Sequence, residues 1–274
     1  GVHDLAAACR QLSTLPLVLR LRAASVATAL PNKLKICLSV TLIVAQMGDV
    51  YQIVYPPSYQ SLSDNLFAPL RGQLFGWIPG LRLSCFGIER LEHVLVLYAL
   101  LPVAIITLAF AISWCRGRSL LPALPFVLRF TYVVFPIISS KGFQALAECD
   151  TFEYIDGSKL SLLPSDWHVE CPIDGGLVAV AWLAVLLYGA GVPLAYAALL
   201  WRCRDAIVNG KPDALSRALA FLHSSLNPSA LWWPLVEAAR ALILTGFLAL
   251  LMPGSITQLL FGLMAAISFL VLQI

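Results

Sequence analysis

"ALWWPLVEAARALILTG", residues 230–246, opens an apolar run with two tryptophans and then places Glu237 and Arg240 three positions apart. Its meaning depends on the solvent. On a soluble helix the two charges would be an ordinary surface pair, worth about 0.3–0.5 kcal/mol. Inside a bilayer each charge is costly and needs a partner or a purpose. Composition decides between these. The 274 residues are 59% hydrophobic and 12% charged, with a mean hydropathy of +0.84, whereas soluble domains carry about 25% charged residues. Too few polar residues remain to shell a soluble core of this size, so an integral membrane protein is expected. A net charge of +3, with no basic run interleaved with aromatics, argues against a nucleic-acid partner.

A crossing helix needs about 20 apolar residues. Stretches 34–54, 91–114, 123–143, 177–201, 230–252 and 256–274 supply them. The expected fold is therefore an all-α, polytopic helix bundle of about six spans. Pro122, Pro125 and Pro136 punctuate the third stretch. Neighbouring helices can satisfy the carbonyls that proline frees, so bending is expected there rather than a break.

Lysine and arginine in the loops set orientation. The first 35 residues hold Arg10, Arg20, Arg22, Lys33 and Lys35, with Asp4 as the one acid. Arg116 and Arg118 follow the second, and Arg202, Arg204, Lys211 and Arg217 follow the fourth. Between the third and fourth, Lys141 and Lys159 face Glu148, Asp150, Glu153, Asp156, Asp166, Glu170 and Asp174. Residues 1–33 are thus expected as a cytoplasmic basic segment, and 34–274 as the transmembrane domain with external loops 55–90 and 144–176. The chain starts at Gly1 and stops inside an apolar run, so a longer polypeptide with a further span upstream is expected. Loop 55–90, with Phe67, Phe75, Trp77 and Phe86, reads as lying on the outer face; a re-entrant hairpin is the alternative.

Cys85, Cys149 and Cys171 fall on the external side, where thiols can oxidise. Cys149 and Cys171 bracket the acidic loop and form the natural closure. With an odd external count, pairing of Cys85 with either stays open.

Polar residues inside spans are functional candidates by default. Gln46, Asp49 and Gln52, three apart, form a stripe along the first span. Asp49 is either hydrated or bonded to a neighbouring helix, with Lys141 at a matching depth, or it lines a water-filled cation path. Trp232 and Trp233 anchor the fifth span at the inner interface. Glu237 and Arg240 share a helix face and neutralise each other, with Arg240 snorkelling back to the headgroups. The alternative is that Glu237 reaches Arg129 and locks spans three and five together. Gly189, Gly191 and Pro193 point to close packing and a bend in span four. Residues 214–226 suit one short amphipathic helix on the inner surface. Asp150, Glu153 and Asp156 do not follow an EF-hand spacing and read as a solvated face. No H-E-x-x-H or G-x-S-x-G pattern occurs; no enzyme, cofactor or metal site is expected.

Several of these segments together resemble a known family. "WWPLVEAARALILTGFLALLMPGS" with "QLLFGLMAAISFLVLQ" is similar to the last part of the TRP-like (transient receptor potential-like) C-terminal transmembrane domain of large algal and protist surface proteins. "LKICLSVTLIVAQMGDVYQIVYP", "VVFPIISSKGFQALAECD" and "LLYGAGVPLAYAALL" extend the likeness over most of 34–274. In that family the tryptophan-rich start of span five carries a further acid and a lysine, which Pro234 and Ala241 replace here; Glu237 and Arg240 match. The resemblance implies the transmembrane domain of a large surface protein in the plasma or ciliary membrane, of TRP-like channel class and cation-selective if it conducts. Expected partners are the lipid bilayer, an extracellular assembly or the protein's own ectodomain, and copies of the chain or other membrane subunits. The rival expectation is a non-conducting membrane anchor for such an assembly.

Overall fold

The computed structural model describes residues 35–53, 55–58, 60, 90–117, 119–211, 213–224, 226–227, 230–251 and 253–273. The basic segment 1–33, Cys85, and most of the loop 55–90 lie outside the described residues. Residues 35–51 form helix α1. From Leu42 onward the chain belongs to one contact unit, which is the body described below.

The protein is an all-α, polytopic bundle. Among the described residues, five helical stretches are long and apolar enough to cross a membrane: Leu91–Cys115, Leu121–Ala145, Gly175–Val208, Trp233–Leu250 and Ile256–Gln273. They coincide with the second to sixth expected spans. The first expected span is helical over 35–51, about 26 Å at 1.5 Å per residue.

Helix α2 (Leu91–Gly117) carries Pro102 in its interior. A 3-10 turn at Leu121–Ala123 leads into α3 (Leu124–Ala145), with Pro125 in the first turn and Pro136 inside. Proline costs no hydrogen bond in a first turn, where the N–H is unsatisfied anyway. The third span is therefore continuous, as expected. Helix α3 is central: Phe135 and Ile138 pack with Ala99 of α2, and with Ala184 and Tyr188 of span four. Gly142 permits the close crossing, since a Cβ there would lie 2.9 Å from Val185 Cγ2 and 3.0 Å from the Ala181 carbonyl.

Span four is α4 (Gly175–Ala184), a π-helical turn at Val185–Ala190, and α5 (Gly191–Val208). Asp174 caps α4 by accepting from Gly176 N at 3.2 Å, satisfying one of the orphan N–H groups of the first turn. Inside the wide turn Gly191 N donates to Leu186 O, five residues back. Pro193 explains the widening. It offers no N–H to the Gly189 carbonyl and its ring crowds that oxygen, so slipping to five-residue bonds relieves the clash. The expected bend is thus a local change of helix type.

The segment 214–226 corrects one expectation: it is two short helices, α6 (Ala214–Ala218) and α7 (Ala220–His223), instead of one. Asp213 caps α6 through Ser216 N at 2.7 Å, and His223 Nε2 lies 3.0 Å from Ser216 O. Leu219 and Leu222 are buried with Leu128, Tyr196, Leu200 and Cys203. The segment docks on α3 and α5 by burying these leucines. Helix α8 (Trp233–Thr245) ends at Gly246 and continues as a 3-10 turn, Phe247–Leu250. A short turn then leads to α9 (Ile256–Gln273), whose outer face is largely exposed.

The loop 144–176 holds a small sheet that was not expected. Strands β1 (Asp150–Glu153), β2 (Lys159–Leu163) and β3 (Asp166–Glu170) pair antiparallel in the order β1-β2-β3. Gly157, at φ 80°, supplies the left-handed residue of the first hairpin, which L-residues with side chains disfavour. Asp156 Oδ1 accepts from Ser158 Oγ at 2.6 Å and from Ser158 N at 3.0 Å. These two bonds, the side-chain one foremost, hold the Asp156 carboxyl below its ordinary value. Cys149 and Cys171 form the disulfide that closes the loop, spanning a sequence separation of 22. The two outer strands are thereby tied at one end.

Candidate functional site: a polar chain across three helices

The stripe expected along the first span divides into three environments. Gln46 is 3% exposed, and its Nε2 has no hydrogen-bond partner among the described residues. Asp49 pairs with Lys141 of α3, Nζ to Oδ2 at 3.3 Å, with side chains 28% and 30% exposed. Gln52 closes α1 in the left-handed region at φ 51° and is exposed. The bond to a neighbouring helix is therefore the one Asp49 makes, and its partner is the lysine that matching depth indicated.

From that pair a chain of hydrogen bonds runs into the bundle. Lys141 Nζ also donates to Gln144 Oε1 at 3.3 Å, and Gln144 Nε2 donates to Ser140 Oγ at 3.1 Å. Ser140 Oγ in turn donates to the carbonyl of Thr245, the last residue of α8. Ser140 and Gln144 lie one turn apart on α3, which places both on the face toward α8. Both are buried, and a buried polar group without a bond would cost about 1–3 kcal/mol. The Thr245 carbonyl is one of the orphans that any helix C-terminus leaves. Ser140 takes it from the side, and Thr245 Oγ1 donates to Ala241 O at 2.7 Å. A carboxylate on α1 is thus connected, through α3, to the point where α8 breaks.

Gln258 performs a parallel task one layer away. It is 0% exposed. Its Nε2 donates to Val50 O at 2.9 Å and Leu248 O at 2.8 Å, while its Oε1 accepts from Gly254 N at 3.0 Å. Two of these groups are carbonyls near the ends of α1 and of the 3-10 turn, the second of which also accepts from Leu251 N at 3.1 Å, so one amide joins both to α9.

The small sheet sits against this site. Pro164 and Ser165, in the β2–β3 turn, line a cavity of about 20 Å³ together with Asp49, Gln52 and Gln144. That is room for roughly one water. The disulfide-closed cap and the charge pair therefore share a boundary.

The other expected residues stand elsewhere. Trp232 and Trp233 pack edge to face with centroids 5.9 Å apart at the start of α8, where Pro234 occupies the first turn. Glu237 and Arg240 are half-buried on α8, and each is engaged in a polar or electrostatic contact. Arg129 is exposed, and its guanidinium lies 5.9 Å over the Phe221 ring of α7. The contact the structure gives Arg129 is that cation–π stacking, which ties span three to the segment before span five.

Sequence reasoning missed Gln258, Ser140 and Gln144. The signal for Gln258 was present, since it is a polar residue inside the sixth expected span. Ser140 and Gln144 stand in the quoted run "VVFPIISSKGFQALAECD", but the carbonyl that Ser140 bonds lies about a hundred residues away. Comparison with protein families, curated proteins and solved structures returns no match.

Proposed function

We propose that the chain is the membrane domain of a larger surface protein of TRP-like channel class, in the plasma or ciliary membrane. In this reading the external cap acts on the helices through the Asp49–Lys141 pair. The observation that carries it is the shared boundary: the β2–β3 turn, Asp49, Gln52 and Gln144 line one cavity, and Gln144 leads on to α8. A pull or a ligand on the cap would reach that pair first. The acids of loop 144–176 would concentrate cations near the outer mouth. With Gln46 packed and room for about one water beside Asp49, ions would pass between copies of the chain rather than through one. No catalytic step and no cofactor belong to this reading.

A specific observation favours the rival, a non-conducting anchor for an extracellular assembly or ectodomain. The cap exposes Phe152, Tyr154, Ile155 and Trp167, a surface suited to docking. Planar-bilayer recording of the full-length protein separates the two. The channel reading expects cation currents that Lys141→Met shifts in their response to tension or voltage. Silent wild-type protein that is folded and monodisperse would end it. The anchor reading expects Phe152→Ser with Trp167→Ser to release the bound assembly, with currents never present.

A further inference from the structure

We propose that the cleft between α5 and the start of α8 is a binding site for one anionic phospholipid. Helix α5 presents Ala197, Trp201, Arg204 and Val208 to it, at the three- and four-residue spacing that makes one face; Trp232 and Leu235 form the other wall. Its volume is about 740 Å³, within the ~300–1,000 Å³ range of small-molecule sites. From Ala197 to Arg204 the face runs roughly 10 Å at 1.5 Å per residue, which takes the headgroup-proximal part of an acyl chain. The shape suits an acyl chain lying along the helix.

The polar end of the occupant follows from charge. Arg204 is the one charged residue of the lining, and its guanidinium lies 5.8 Å over the Trp201 ring. Stacking holds the cation in place, and the guanidinium edge still presents donors that suit a phosphate. Trp201 and Trp232 are 77% and 51% exposed, and indoles gather at headgroup level. Arg202, Lys211 and Arg217 add positive charge to the same end of the chain segment, against Asp205 and Asp213. Basic pockets between spans on the cytoplasmic side take anionic headgroups. A free phosphate would meet Arg204 and leave the apolar slot empty, so the geometry commits to a lipid.

Native mass spectrometry of the full-length protein, titrated with dioleoylphosphatidylglycerol or dioleoylphosphatidylcholine, tests this. Wild type should bind the anionic lipid about fivefold more tightly, the factor that one cationic side chain near the surface supplies. Arg204→Gln should remove that preference. Arg202→Gln, on the same helix but outside the cleft lining, should keep it. Ala197→Phe should weaken both lipids by filling the deep end, with Arg204 intact. Equal binding of the two lipids by wild type overturns the proposal. So does an equal effect of Arg202→Gln and Arg204→Gln, or displacement of the lipid by millimolar inorganic phosphate, which would mark a bare anion site.

Discussion

Removing the cation from the Asp49–Lys141 pair should destabilise the bundle by an amount set by partial burial. Fully exposed ion pairs contribute about 0.2–1 kcal/mol, and breaking a fully buried pair costs about 3–5 kcal/mol. Side-chain exposures of 28% and 30% place this pair between those limits. Lys141→Met leaves the Asp49 carboxylate partly desolvated and takes the donor from Gln144 Oε1; about 2 kcal/mol is expected from the two losses together. Asp49→Asn leaves the ammonium without its carboxylate, again at about 2 kcal/mol. The double variant removes both charges and leaves the Gln144 contact as the main loss, so about 1–1.5 kcal/mol is expected for it. The coupling is then about 2.5–3 kcal/mol, near the upper end for contacting residues. Unfolding of the four proteins in mixed micelles, followed by circular dichroism against added dodecyl sulfate, measures each term. Additivity within about 0.5 kcal/mol would refute the idea that the two groups are coupled, and with it the route from cap to helices.

Gln258→Leu should cost about 2 kcal/mol, because the Val50 carbonyl loses its side-chain donor, the Leu248 carbonyl loses one of two donors and the part-buried Gly254 N–H loses its acceptor, at about 1 kcal/mol for each fully buried group; a loss under about 1 kcal/mol in the same assay would mean the amide is not needed there. Replacing both Cys149 and Cys171 by serine should destabilise the cap by about 3 kcal/mol, the loop-entropy value for a separation of 22. Hydrogen exchange over 150–170 should rise while that over α3 and α4 stays protected, and unchanged exchange would count against the disulfide as the cap's main tie. The hairpin should also be sensitive to acid. The Asp156 carboxyl titrates below its ordinary value of 3.8, so its contribution is present above that value and lost as pH falls through the folded-state one. Exchange at Gly157 and Ser158, corrected for intrinsic rates, should be flat from neutral pH to about 5 and rise below 3.8; Asp156→Asn should remove the step.

The helices were readable from the sequence because their cause is local. Twenty or so apolar residues between charged loops fix a span without knowledge of any partner, and the ends of spans two to six fall within about three residues of the expected ones, except that span four runs on to Val208 instead of 201. The Cys149–Cys171 closure and the Asp49–Lys141 contact were readable for a related reason. Once sidedness and depth are known, few partners remain. The sheet was missed although Asp156-Gly157 is a hairpin signal, since its strands are short and its acids were read for charge. The polar chain was illegible as a chain: Ser140 meets a carbonyl of α8 where Gly246 lets the end of that helix close on α3, a Cβ there falling 2.9 Å from Phe143 Cε2. Such meetings are set by packing, which hydrophobic periodicity does not encode. The Arg129–Phe221 contact belongs to the same class.

The wide turn at Val185–Ala190 makes span four a rod with two phases. An α-helix advances about 100° per residue, and a π turn stores one surplus residue, so the halves on either side are indexed separately. Residues 175–184 are locked against α3 at Gly142. The later half is held to α3 in its own register, by Tyr196 on Thr131 at 2.8 Å and on the Leu128 carbonyl at 3.2 Å. The surplus behaves as a dislocation does in a crystal row: moved by one position it re-forms one bond for each bond it breaks. The surplus residue thus sets the bearing of Trp201 and Arg204 apart from that of residues 175–184, within one unbroken helix.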